Sequence, residues 1–148
     1  MTIYFYSASE KPYGCFSNFS KHSFNLDGYL WPTSEHYFQA QKFPETEHYG
    51  EIMKAQTPRK AANLGRDRSK PLRIDWEEVK EEMMKKALYA KFTTHNDLKE
   101  ILLSTGDEEI VEKTTGDYYW GCGTKGNGKN RLGVLLMELR DELRKDLQ

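Results

Sequence analysis

Trp31-Pro-Thr-Ser-Glu-His-Tyr-Phe-Gln-Ala-Gln-Lys-Phe43 is the stretch on which the reading of this chain turns. Pro32 followed by Thr33 and Ser34 opens a helix, because a hydroxyl there accepts a hydrogen bond from the unpaired amides of the first turn. Glu35 falls in that turn. At about 100° per residue, Glu35, Gln39 and Lys42 share a face with Phe38, while His36, Ala40 and Phe43 share another. A carboxylate, an amide and an ammonium thus stand in a row. The ordinary reading of such a row is a solvated stripe, since the helix dipole favours a first-turn glutamate in any protein. The aromatics on the remaining faces, with Trp31 ahead of them, point to an embedded helix instead. An embedded glutamate needs a partner or a chemical task.

Outward from this helix, the 148 residues suffice for one domain, 1–148, that buries roughly two thirds of its unfolded surface. The hydrophobic fraction of 37% is modest, but 13% aromatic residues supply core volume, so a folded domain is expected and not disorder. A net charge of −1 argues against holding nucleic acid by bulk electrostatics, leaving only a local basic patch for phosphate contacts. Cys15 and Cys122 lie far apart without a C-x-x-C spacing, which suggests neither a zinc cage nor a redox pair and fits a reducing cytoplasm. No basic leader precedes an apolar run, and no run approaches about 18 apolar residues, so a soluble, non-secreted protein is expected.

Ile3 to Tyr6 reads as a strand. Phe24 and Leu26 alternate with polar neighbours before Asp27-Gly28, which reads as a strand entering a hairpin. Between them Tyr13 to Phe19 is too irregular for a strand, and Asn18 is the polar group there suited to line a pocket. Beyond the opening helix, Tyr49, Ile52 and Met53 mark a second helical face. Thr57-Pro58 starts a third helix that Gly65 stops. Arg66 to Arg73 carries four basic residues in eight, a natural phosphate site, and leads into the capping-box-like Asp75-Trp-Glu-Glu78. Trp76, Val79, Met83, Ala87 and Ala90 then fall at helical spacing to about Phe92, followed by a helix with Leu98, Ile101 and Leu102. The last helix places Leu132, Leu135, Leu136, Leu139, Leu143 and Leu147 on one stripe. The economical architecture is helix-rich α+β with a small, mainly antiparallel sheet.

The glycine-rich segment Gly116 to Gly128 ends at Lys129-Asn130 against the last helix. Gly121, Gly123 and Gly126 spell a dinucleotide fingerprint, and Gly123 through Lys129 spell a phosphate-binding loop with Asn130 in place of the final hydroxyl. Both need a buried parallel strand just before the loop and a βαβ chain after it, and only one helix remains here. An anion-accepting loop of another kind is expected. Within it Asp117 and Trp120 are either a turn residue and a core anchor, or a carboxylate and a stacking face for a heterocycle.

Ser17-Asn-Phe19, Trp31 to Phe43, Leu64-Gly-Arg66, Ala90-Lys-Phe92, Leu103 to Asp107, Asp117-x-x-Trp-Gly121 and Gly128-Lys-Asn-Arg-Leu-Gly133 together resemble the YbiA-like, or NADAR, family over almost the whole chain. The resemblance implies an N-glycosidase of a compact α+β fold. In bacteria the family is linked to hydrolysis of phosphoribosylamino-pyrimidine intermediates of riboflavin synthesis, and related members remove ADP-ribose from guanine in nucleic acid. Carried over, the functional positions are Glu35, Trp76, Asp117, Trp120 and Asn130, with Asn18, Lys42 and Arg66 in support. The chain departs from the resemblance at Cys122 and Lys125, where many relatives carry an acidic residue.

The residues support the same chemistry independently. Breaking a ribosyl C–N bond builds positive charge on the sugar, which a carboxylate can stabilise while drawing a proton from the attacking water. Glu35 is the first candidate and Asp117 the second. Trp76 and Trp120 could stack on the base, and Arg66, Arg68 or Lys129 could hold phosphate. No cofactor is required, and no His/Cys/carboxylate cluster with ligand spacing stands out to hold a metal. The expected partner is a small phosphorylated ribosyl-pyrimidine, with ADP-ribosylated nucleic acid as the alternative. No membrane and no obligate protein partner is indicated. A binding module without turnover, or a purely structural domain, are the competing classes.

Overall fold

In a computed structural model, residues 1–147 are described and form six α-helices and four short strands in two compact units, 21–94 and 1–20 with 95 onward. The first unit begins with the expected hairpin. Strands β1 (Thr2–Phe5) and β4 (Glu109–Glu112) belong to the other unit, while β2 (Phe24–Leu26) and β3 (Tyr29–Trp31) pair antiparallel with Phe24 opposite Trp31. Asp27 and Gly28 both turn left-handed, with φ of 54° and 85°, the conformation a two-residue hairpin needs to match strand twist. Trp31 is fully buried; its indole N–H donates to the Leu26 carbonyl at 2.9 Å, and its ring meets Tyr37 and Tyr49 edge-on at 5.1 and 5.4 Å. Burying an aromatic of this size contributes about 2–3 kcal/mol, which anchors the hairpin to the helices of its unit.

The hairpin leads directly into α1 (Ser34–Ala40), every residue of which is buried. Thr33 caps it, accepting from the His36 amide at 3.2 Å, as the sequence requires. Helices α2 (Glu47–Met53), α3 (Pro58–Gly65) and α4 (Trp76–Thr94) surround it and pack on it. Thr57 caps α3 through the Lys60 amide, with Pro58 at the first position. At the start of α4 the Asp75 carboxylate is gripped by the Arg73 guanidinium, at 2.7 and 3.1 Å, where the sequence suggests a capping box. The buried residues of α4 are Trp76, Met84, Ala87, Leu88, Ala90, Lys91 and Phe92, so the inward face centres nearer Met84 and Leu88 than Val79 and Met83.

In the second unit β1 and β4 pair in parallel, Thr2 opposite Glu109 and Phe5 opposite Glu112. Helix α5 (Asn96–Ser104) precedes β4, and α6 (Arg131–Lys145) packs on both. Strand β4 is the element the sequence reading misses. It offers only Ile110 and Val111 between two glutamates, and its parallel partner lies at the far end of the chain, beyond the reach of local pattern. The strand content is thus one antiparallel hairpin and one parallel pair. Leu132, Leu135, Leu136, Leu139 and Leu143 form the buried stripe of α6; Leu147 lies past the helix end and is 65% exposed. Gly133 lets α6 approach β4, since a methyl there would collide with the Ile110 carbonyl.

Candidate active site

Glu35 is 6% exposed, which removes the solvated-stripe reading. One turn along, the Gln39 amide donates from Nε2 to Glu35 Oε2 at 2.8 Å. Gln39 Oε1 is buried without a hydrogen-bond partner. An unpaired buried acceptor costs about 1–3 kcal/mol, so the orientation of this amide is set by the carboxylate and not by its own satisfaction. Gly65, the last residue of α3, lies against Gln39: a methyl at that position would fall on its Oε1 and within 2.7 Å of its Cβ and Cδ. The half-buried Lys42 completes the row. Its ammonium donates to the Gly65 carbonyl at 3.2 Å and sits 5.8 Å from the centre of the Trp76 ring. Burial pulls the Lys42 ammonium below its usual range, and Glu35 opposes that shift.

Trp76 is buried and packs on Phe38 with ring centres 5.1 Å apart. It forms a wall beside the Glu35 helix. Arg66 lies close enough to Lys42 to lower its pKa further, which ties the exposed Arg66 guanidinium to this row. Arg68 is also exposed, but nothing ties it to Glu35. The other two cations of the basic loop are engaged at its two ends, Lys70 on the Leu64 carbonyl of α3 at 2.8 Å and Arg73 on Asp75 before α4. On the opposite face of α1, the His36 ring bridges Thr33 Oγ1 at 2.7 Å and the Ala55 carbonyl at 2.9 Å. Burial holds this imidazole below its usual range and therefore neutral near pH 7.

In the second unit, Asn18 is buried in the turn after a short 3-10 segment, Tyr13–Phe16. The glycine segment spends most of its amides within the fold, leaving few for the expected anion. The amides of Lys129, Asn130, Arg131 and Leu132, which open α6, donate to the carbonyls of Tyr118, Gly121, Tyr119 and Trp120. Those of Cys122, Gly123, Gly126 and Gly128 are likewise spent on carbonyls. The segment closes on itself and caps its own helix. Asp117 Oδ1 accepts from the amides of Tyr119 and Trp120 at 3.0 and 2.8 Å, a side-chain-closed turn that presents Trp120 half-exposed, its ring edge-on to Tyr119 at 4.9 Å. Asn130, left-handed at φ 50°, spends its whole amide on β4: Oδ1 accepts from the Glu112 amide and Nδ2 donates to the Ile110 carbonyl, both at 2.9 Å. It is a clamp between loop, helix and strand. Lys129 is exposed, its ammonium 5.6 Å from the Tyr119 ring centre.

A NADAR domain profile matches residues 4–144. The chain belongs to the NADAR family. Its relatives include N-glycosidase YbiA of Escherichia coli, 56% identical over 95% of this chain and 88% of that protein. The NMR structure of YbiA superposes with a TM-score of 0.91 at 54% identity, covering 99% of this chain and 86% of the other. An N-glycosidase of Nostoc punctiforme is 48% identical over 97% of this chain and 94% of its own length. The maize riboflavin biosynthesis protein PYRR is 42% identical over 88% of this chain but only 23% of its own length.

Within this NADAR chain, two residues of the Glu35 row carry more than the sequence reading gives them. Gly65 reads as a helix stop, and the signal for its second task is the same missing side chain, which close packing also requires. Gln39 reads onto the correct face but without a partner. A trio on α2, Glu47, His48 and Glu51, brings its donor atoms within 4.8 Å of one another, a cluster that the sequence reading does not pick out. Both carboxylates are exposed and His48 pairs with Glu51 at 3.3 Å one turn away, the geometry of a helix-surface ion pair.

Proposed function

We propose that this chain is an N-glycosidase that hydrolyses the ribosyl C–N bond of phosphoribosylamino-pyrimidine intermediates of riboflavin biosynthesis. It is a hydrolase of N-glycosyl bonds, as YbiA and the Nostoc punctiforme relative are named N-glycosidases. The observation that carries the assignment to a residue is the buried Glu35 carboxylate, fixed by the Gln39 amide in a row with Lys42. Glu35 takes a proton from water as the water oxygen bonds to the anomeric carbon. The C–N bond electrons pass to the pyrimidine amino nitrogen, which takes up the proton that Glu35 received from the water and leaves as the free amine, and ribose 5-phosphate is released. The carboxylate also stabilises the positive charge on the ring as the bond lengthens.

Arg66 and Lys42 supply positive charge for the substrate phosphate, with Arg68 and Lys129 as further exposed cations. Trp120, half-exposed on its turn, offers a stacking face, and Trp76 shapes the wall behind Glu35. Asp117 and Asn18 are proposed as ribose contacts, whereas Asn130 acts through the loop it clamps. We infer a cytoplasmic location, in keeping with Cys15 and Cys122 not being joined in a disulfide. No helix among the described residues is long and apolar enough to cross a membrane.

The test is single-turnover cleavage by Glu35→Gln. The variant keeps shape and removes charge and basicity, so cleavage should fall about 10²–10⁴-fold while substrate affinity survives. Near-normal cleavage removes Glu35 from the chemistry. Running the phosphoribosyl compound beside ADP-ribosylated DNA ranks the substrates, and faster release from DNA reverses the order proposed.

A further inference from the structure

We propose that Gln39 is a positioning residue for Glu35, and that Gly65 is the space in α3 that holds Gln39 in that role. The inference rests on Glu35 being the reacting carboxylate. Gln39 Nε2 donates to Glu35 Oε2 at 2.8 Å, and its Oε1 is buried with no hydrogen-bond partner. Turning the amide over would free that oxygen from its orphaned place but set it against an ionised carboxylate. The orientation observed therefore favours the anion, the form that accepts a proton from water. A methyl on Gly65 would meet Gln39 at Cβ and Cδ, both 2.7 Å, as well as at the amide oxygen. Rotating the terminal amide relieves only the last of these, so the whole side chain must move and the hydrogen bond to Glu35 goes with it.

The charged groups around this row are Lys42 on the same face, Arg66 just after α3, and Glu77 and Lys80 on α4, which act on Lys42. Helix α4 also carries the buried Lys91. On α2 His48 pairs with Glu51, with Glu47 beside them and Tyr49 on the same helix; β3 contributes only Tyr29 as a titratable group, and α1 itself His36, which faces Thr33 and Ala55, and Tyr37, whose hydroxyl donates to Asp27. None of these is changed by substituting Gln39 or Gly65.

The test uses Gln39→Met, Gln39→Glu and Gly65→Ala in the full chain, with Glu35→Gln alongside, and reads kcat, KM and the pH profile of kcat on the phosphoribosylamino-pyrimidine. Gln39→Met removes a hydrogen bond to a charged group, so kcat at neutral pH falls roughly 10- to 100-fold with little change in KM. The acidic limb moves up by about one pH unit, because the anion has lost its donor. Gln39→Glu, matched in shape, moves the limb further the same way, since two adjacent carboxylates share a proton. Gly65→Ala reproduces the Gln39→Met profile. A merely structural role would lower the melting temperature and leave the limb in place. If Glu35→Gln is inactive while the Gln39 variants keep both kcat and limb, the positioning role is overturned and the site reading stands. If Glu35→Gln cleaves normally, the site reading fails and this inference with it.

Discussion

Replacing Asn130 by glycine separates what its amide does from what its backbone does. Asn130 sits at φ 50°, which glycine adopts without penalty, so Asn130→Gly keeps the turn into α6 and deletes only the side chain. Two hydrogen bonds disappear, from the Glu112 amide and to the Ile110 carbonyl, each 2.9 Å and partly buried. Such bonds contribute about 0.5–1.5 kcal/mol apiece, and a β4 group left unsatisfied costs about 1–3 kcal/mol more when water cannot replace the partner. Partial solvent access at this edge favours the lower end, giving about 2–3 kcal/mol. For a chain of this size that is a fall of roughly 5–10 °C in melting temperature. Asn130→Ala adds the penalty of a left-handed non-glycine residue, about 1 kcal/mol. Urea denaturation of the parent and both variants measures these differences from the midpoints at constant slope. An Asn130→Gly variant within about 0.5 kcal/mol of the parent, a surface-like effect, would refute the clamp and return Asn130 to the pool of substrate contacts.

Three further outcomes are expected. Gly133→Ala drives a methyl into the Ile110 carbonyl and the Asn130 amide, and lowers the urea midpoint by the equivalent of about 1–3 kcal/mol; an unchanged midpoint would mean that α6 can slide on β4. Asp117→Asn retains an Oδ1 acceptor for the Tyr119 and Trp120 amides and so keeps its melting temperature, while a loss in kcat/KM of more than about tenfold marks the lost charge as acting on substrate. His36, held below its usual range by burial, is neutral in the folded protein. Below its unfolded pKa of about 6.5 the unfolded chain takes up a proton that the folded chain refuses, so stability falls with pH from there down through the folded value. Urea midpoints between about pH 7 and pH 5 should fall more steeply for the parent than for His36→Gln, and parallel curves would contradict this.

The Glu35 helix and its neighbours are legible in the sequence because each signal is local. Thr33 and Thr57 cap the helices they precede, Asp27-Gly28 makes the hairpin, and the aromatic surroundings of Glu35 foretell its burial. The glycine segment misleads for a physical reason. Glycines signal that backbones come close, and they do not say to what; here most of the segment's amides meet carbonyls of the segment itself and of Glu112 and Thr114 just before it. Strand β4 and the Asn130 clamp on it lie beyond local reading, since both depend on pairing across long stretches of sequence. Gly65 is only half legible, its helix-ending role hiding its packing role.

The burial of Glu35 explains why its row contains an amide and an ammonium at all. In the proposed reaction, a carboxylate acting on a developing cation about 4 Å away is worth about 1 kcal/mol in bulk water and about 4 kcal/mol at the effective dielectric near a protein surface, so withdrawing it from water strengthens the interaction proposed for the transition state. The same withdrawal favours the protonated acid, which would neither attract the cation nor accept a proton. Gln39 and Lys42 both act against that: one donates a hydrogen bond to Oε2, and the other sets a positive charge on the same face. The arrangement is reciprocal, because burial weakens the Lys42 ammonium and Glu35 is the largest influence restoring it. Removing the Glu35 charge therefore lets burial pull the Lys42 ammonium further below its usual range. A helix only seven residues long carries this row, and its stability comes from α2, α3 and α4 packed around it. The packed core of this unit thus holds the Glu35 carboxyl, the Gln39 amide and the Lys42 ammonium in one row.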